Sequence, residues 1–174
     1  MQFKFLKNIN LLLTAIIFAV SISAFVGFIY LKKDNRLADE VKRLTDRHLP
    51  EANLLEIGTK KDFYNEVVKG DVILVYLIST CDACRNELNI IAESSIEQQV
   101  KIFGIMLENE DVVRRYVKKN NIEFPVLIDK NAGILDGLEI KYFPANLKLS
   151  NGVVKNVVLG TPENGQKFLE FIKN

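Results

Sequence analysis

Val72-Ile73-Leu74-Val75-Tyr76-Leu77-Ile78 leads, after Ser79-Thr80, into Cys81-Asp82-Ala83-Cys84. Seven residues without a charge read as a strand buried on both faces, the kind found at the centre of an α/β sheet. The chain's only two cysteines therefore stand where a strand hands over to a helix. A helix start offers unpaired N–H groups and the positive end of the dipole, both of which favour a thiolate on Cys81. Two intervening residues bring Cys84 within bonding reach once the helix forms, so the pair can cycle between dithiol and disulfide.

Around this junction the sequence alternates strand-like and helix-like segments, which predicts an α/β domain over residues 53–174 with a mixed central sheet and flanking helices. Leu54 to Ile57 reads as a short strand. Thr59 and Asp62 read as the cap and acidic first turn of a helix through Phe63, Val67 and Val68 that stops at Gly70. Beyond Cys81, Leu88, Ile91 and Ala92 fall on one helical face. Lys101 to Leu107 reads as a second buried strand, followed by a helix from Glu110 to Lys119 with Val112, Val113, Tyr116 and Val117 inward and Asn120-Asn121 at its end. Phe124 to Ile128 and Ala132 to Leu138 give a short strand and a short helix. Asn151-Gly152 predicts a hairpin between a Pro144-led strand and Val153 to Leu159. Thr161-Pro162 is expected to cap a last helix to Ile172, with Phe168, Leu169 and Ile172 inward.

Upstream, Ile9 to Leu31 carries no charge over 23 residues, enough at ~1.5 Å per residue to cross a ~30 Å hydrocarbon core. Residues 1–8 are then a short cytoplasmic tail, 9–31 a transmembrane signal-anchor helix, and 32–52 a charged stalk that continues it as a helix until Pro50. A cleavable leader is the rival reading, with Ser21 to Ser23 as its cleavage region. The apolar run continues through Phe25, Phe28 and Leu31, which argues for an anchor. Lysines flank the span on both sides, so charge alone does not orient it. A cysteine pair used as a disulfide fits an extracytoplasmic domain.

The net charge is +1: residues 1–52 carry eight Lys/Arg against five Asp/Glu, and residues 53–174 carry 15 against 17. No basic stripe with interleaved aromatics is present, which argues against nucleic acid as a partner. His48, the single histidine, reads as a solvated stalk residue. Zinc needs about four ligands, which two cysteines and a remote histidine do not supply, so no metal is expected.

The chain resembles the thioredoxin-like superfamily, and within it the membrane-anchored TlpA and ResA type of thiol-disulfide oxidoreductase. The likeness covers roughly residues 54–173. It is carried by the strand running into Cys81-Asp82-Ala83-Cys84-Arg85-Asn86-Glu87, by Phe124-Pro125-Val126-Leu127-Ile128-Asp129, and by Tyr142-Phe143-Pro144-Ala145-Asn146 ahead of the Ser150-Asn151-Gly152 turn. The resemblance implies that Cys81 attacks a client disulfide and that Cys84 resolves the mixed disulfide. It implies a cis Pro144 whose loop packs against the cysteines, with Phe143 and Thr80 on the substrate-facing surface. Glu108, at the carboxyl end of the Lys101 to Leu107 strand, matches a glutamate that ResA-type proteins carry near their cysteines, where it could move protons to or from Cys84. No cofactor is implied beyond the Cys81–Cys84 disulfide itself. Partners implied are disulfide-bearing client proteins, apocytochrome c among them, a transmembrane thiol electron donor, and membrane lipid around residues 9–31.

Thr80 and Phe143 depart from the family pattern, which often has Trp before the first cysteine and Thr or Val before the proline. Asp82 adds negative charge beside Cys81, which points to a reductant rather than a strong oxidant. Two other readings remain open. One is a thioredoxin-fold binding or scaffolding module without turnover. The other is a peroxiredoxin-like peroxidase, against which Ile78 stands three residues before Cys81, where that class places Thr or Ser.

Overall fold

After Asp71, every residue of β2 (Asp71–Tyr76) is buried, because the strand has neighbours on both edges and side-chain clusters on both faces. It pairs in parallel with β3 (Lys101–Met106) and antiparallel with β5 (Ala145–Ser150). With β1 (Leu54–Glu56), β4 (Val126–Asp129) and β6 (Val153–Leu159), these form one mixed sheet in the order β1-β4-β3-β2-β5-β6. The computed structural model describes residues 2–59, 61–94, 100–160 and 165–173.

Alternation along β2 sorts its side chains onto two cores. Val72, Leu74 and Tyr76 join Leu44, Val67 of α2 (Tyr64–Val67), and Ile134 and Leu138 of α5 (Gly133–Leu138). Ile73, Val75 and, just past the end of the strand, Leu77 join Cys84, Leu88 and Ile91 of α3 (Asp82–Ser94), Val113 of α4 (Glu110–Lys119) and Phe168 of α6 (Gly165–Lys173). Each fully buried aliphatic side chain stabilises the fold by about 1.5–3 kcal/mol, so β2 is the strand the domain can least afford to lose.

Local signals explain the ends of the elements. Asn109 caps α4, its Oδ1 accepting from the Val112 N–H at 3.1 Å, and the helix carries Glu110 and Asp111 in its first turn and Lys118 and Lys119 in its last. Asp129 is buried at the end of β4, where it accepts from the Gly133 and Ile134 N–H groups at the start of α5 and from the Tyr76 hydroxyl. Asn151 and Gly152 have φ of 48° and 75°, the left-handed pair that a two-residue hairpin turn of the primed type requires. Gly152 sits against Val68, within 3.3 Å of where a Cβ would fall.

Four expectations are revised. The helix expected from Thr59 starts only at Tyr64: the Thr59 hydroxyl bonds to Glu56, and Asp62 takes the Tyr64 N–H. The inward face of α3 includes Glu87 in place of Ala92, which is exposed. The helix expected to continue to Pro50 ends at Leu44. Leu44, Leu49 and Ala52 are buried in the domain core, so the second half of the 32–52 stretch is not a free stalk. Apolar spacing was present there, but the surrounding charges masked its role. The expected Thr161-Pro162 cap lies outside the described residues.

The chain divides into two compact units, residues 1–40 and 41–174. The first is most of α1 (Gln2–Leu44), whose stretch from Ile16 is long and apolar enough to cross a membrane, with mean hydropathy 1.7. Its large side chains from Ile16 to Leu31 are exposed, among them Phe18, Phe25 and Phe28.

Candidate active site

Cys81 occupies the N-cap position of α3: its carbonyl accepts from the Arg85 N–H at 3.3 Å, the first bond of the helix. Its side chain completes the cap, with Sγ accepting from the Cys84 N–H at 3.1 Å. A sulfur in the place usually held by a Ser or Asp oxygen receives an N–H dipole aimed at any negative charge it carries. Cys81 is half-buried and Cys84 fully buried, and the two are unlinked. Burial pushes the Cys84 thiol up to about 12, reinforced by its hydrogen bond with Cys81 and opposed by a backbone hydrogen bond at Ile78. One sulfur is thus presented and the other is held back as a thiol.

The sheet places the remaining predicted residues at the same edge. Ala145 opposes Tyr76 at the end of β2, which sets Pro144 beside the strand that delivers Cys81. The Phe143–Pro144 peptide is cis, as expected. Pro144 is buried and its carbonyl accepts from the Gly160 N–H at 2.8 Å, so that oxygen is already engaged. Phe143 is half-buried with its ring 5.8 Å from that of Tyr76, and Thr80 is exposed. Glu108 reaches across from the end of β3, its Oε1 accepting from the Ser79 N–H at 2.7 Å. Asp82 is paired with Arg85, which offsets the negative charge beside Cys81.

Sequence reasoning missed Glu87. It lies one turn beyond Cys84 on the inward face of α3, with no solvent exposure, and its Oε1 accepts from Asn146 Nδ2 at 3.0 Å. Burial pushes its carboxyl up to about 7, the Asn146 hydrogen bond acting in the opposite direction. Its charge in turn raises the Cys84 thiol. The signal was a carboxylate at the spacing Cys84, Glu87, Leu88, Ile91, where an inward helical position calls for an apolar residue.

Among the described residues, four buried side-chain oxygens lack a hydrogen-bond partner: Glu87 Oε2, Asn146 Oδ1, Glu108 Oε2 and Tyr116 Oη. Three of them feel or exert charge at the cysteine site: the Tyr116 hydroxyl feels Cys84, Cys81 and Glu108, and Cys84 feels Glu87, to which Asn146 is bonded. Buried polar groups are ordinarily satisfied, so each of these four calls for an explanation. Two of them answer each other chemically. A protonated Glu87 supplies the donor that Asn146 Oδ1 lacks, turning one hydrogen bond into an acid–amide pair.

The AhpC/TSA family profile matches residues 45–156, which span β1 through the start of β6. The chain belongs to the AhpC/TSA family. No curated protein matches it. Among solved structures, StoA from Bacillus subtilis superposes with a TM-score of 0.57 at 22% identity, over 72% of this chain and 98% of that one. The thioredoxin domain of a thiol-disulfide oxidoreductase from Bacteroides vulgatus gives 0.60 at 14% identity, over 74% and 97%. A secreted Mycobacterium tuberculosis disulfide oxidoreductase described as homologous to E. coli DsbE gives 0.58 at 15%, over 76% and 97%. At these identities the likeness establishes the thioredoxin-like fold of this AhpC/TSA member.

Proposed function

We propose that this protein is a membrane-tethered thiol-disulfide oxidoreductase of the TlpA and ResA type, its domain facing away from the cytoplasm. The observation that carries the reading is the asymmetry of the cysteines: Cys81 capping a helix and partly open, Cys84 buried and held as a thiol. In the reductive direction the Cys81 thiolate attacks one sulfur of a client disulfide. A mixed disulfide forms and the client's other sulfur leaves as a thiolate. Cys84 then loses its proton and attacks Cys81 Sγ, which releases the second client thiol and leaves the Cys81–Cys84 disulfide.

The second step needs a base, because a thiol held near 12 is scarcely ionised at neutral pH. Glu87, pushed up to about 7 and near enough for its charge to raise the Cys84 thiol, is the base assigned here, the proton passing through a water because neither Glu87 oxygen is hydrogen-bonded to Cys84. Phe143 offers main chain for an extended client segment at the edge where Pro144 is already bonded. A transmembrane thiol donor must re-reduce the pair, since a reductase outside the cytoplasm is otherwise consumed in one turnover. The apolar span Ile9–Leu31 is read as the tether, with residues 1–8 on the cytoplasmic side, and apocytochrome c cysteines are one client class the resemblance suggests.

The test is a Cys84→Ser variant of the full chain in its native host. Mixed disulfides on Cys81 should accumulate and be recovered under non-reducing conditions; an exported variant that captures no client defeats the reading. Reduction of insulin disulfides by the wild type should fall at least about a thousandfold in Cys81→Ser. Peroxide reduction at Cys81 is a second reading favoured by the family match, with Ile78 counting against it. Peroxide consumption by the reduced protein, faster than disulfide exchange, would put it first.

A further inference from the structure

A cavity of about 330 Å³ has Ser79, Arg85, Arg115, Tyr116 and Lys119 in its lining and no acidic side chain, and Ser79 and Arg85 flank the Cys81–Cys84 stretch in sequence. Arg115 and Lys119 stand four residues apart on α4 and so share one side of it. Their neighbours are neutralised: Arg114 is held by Glu110 at 2.6 Å, and Arg85 by Asp82. Arg115 and Lys119 make no salt bridge among the described residues. Tyr116 connects this cavity with the sulfurs. It lines the cavity and is 6% exposed, its hydroxyl has no partner, and that hydroxyl feels Cys84, Cys81, Arg85 and Glu108.

We propose that this cavity receives an Asp or Glu side chain of the client polypeptide while the client's disulfide lies at Cys81. The inference rests on the exchange reading and names the class of client it prefers, one with an acidic residue close to its cysteines. Cations gathered in a concave site with no anion attract a carboxylate and raise its rate of encounter. Arg115 can grip the carboxylate with its planar fork while Lys119 adds a point charge. A polyanion is the poorer fit, because residues 53–174 carry 15 cationic against 17 acidic side chains and the cations form no stripe.

The experiment uses the reduced full chain in detergent and two disulfide-bridged peptides, identical except for two Glu or two Gln beside the cysteines. The acidic peptide should be reduced about tenfold faster at low ionic strength. That ratio should shrink at ~0.5 M salt. It should fall to about one in R115Q/K119Q and invert in R115E/K119E. Equal rates for the two peptides in the wild type, or a preference that survives charge reversal, overturn the proposal. If neither peptide is reduced, the exchange reading falls, and the cavity is judged by binding of labelled peptides with serine in place of cysteine. Tighter binding of the acidic serine peptide, lost in R115E/K119E, then supports the cavity, and equal binding overturns it.

Discussion

Glu87 and Glu108 approach the same two sulfurs from different supports. Glu87 lies on the inward face of α3 with no exposure, and its oxygens meet the Asn146 amide and apolar side chains. Glu108 stands at the open end of β3, half-buried, and answers the Ser79 N–H. Helix packing turns the first carboxyl into a group that changes protonation near neutral pH. The second is bonded to the backbone just before Cys81 and so ties the end of β3 to the strand-to-helix junction. Both stand near the cysteines; the surroundings of each set what it can do there.

The strongest way to break this contrast is Glu87→Gln. Turnover of a disulfide substrate at pH 7.5 should drop about a hundredfold, the usual worth of a positioned general base. The inflection near 7 in the pH–rate profile should disappear; an unchanged profile would remove Glu87 from the proton path.

The same substitution sharpens the contrast through stability. Folded Glu87 keeps its proton up to about 7, against an ordinary value of 4.5. Its contribution is therefore fully present below about 4.5, is lost between there and 7, and above 7 leaves a constant penalty of about 3 kcal/mol. Gln supplies permanently the donor that Asn146 Oδ1 lacks. Urea unfolding should find Glu87→Gln more stable than wild type at pH 8 by roughly that amount, with the gap closing by pH 4.5. Parallel curves across the range would show that Glu87 is not held protonated.

Smaller effects belong to the strand-edge side. Tyr116→Phe removes an unpartnered buried hydroxyl and should stabilise the domain by about 1 kcal/mol in urea unfolding. A loss of that size would mean the hydroxyl has a bond that matters. Glu108→Gln keeps an oxygen for the Ser79 N–H, so its turnover should stay within about threefold of wild type. A larger loss than that of Glu87→Gln would reverse the ranking of the two carboxylates.

Features whose information is local could be read before the structure. The β2 run, the Asn151-Gly152 turn and the bounds of α4 each carry their own steric or capping reason, and each appears as expected. Cys81 and Cys84 were legible because a helix start needs only the adjoining strand to be recognised. The failures are tertiary. Thr59 is a plausible cap, but the chain uses its hydroxyl in the turn after β1, and Asp62 takes the Tyr64 N–H at the start of a shorter helix. Leu44 and Leu49 sit among charges, and only the neighbouring hairpin shows why they are buried. Glu87 gives a sign in its inward helical spacing, but its partner Asn146 lies 59 positions away, and only the folded sheet brings the two together.

The stretch after Leu44 also closes part of a sheet edge. The Asp46 N–H bonds to the Val154 carbonyl, the Val154 N–H to the Arg47 carbonyl and the Leu49 N–H to the Gly152 carbonyl, so residues 46–49 close the outer edge of β6 where it begins. An edge covered in this way is protected from pairing with other chains. Residues 46–49 would have to leave these three bonds before the start of β6 lay open to another chain.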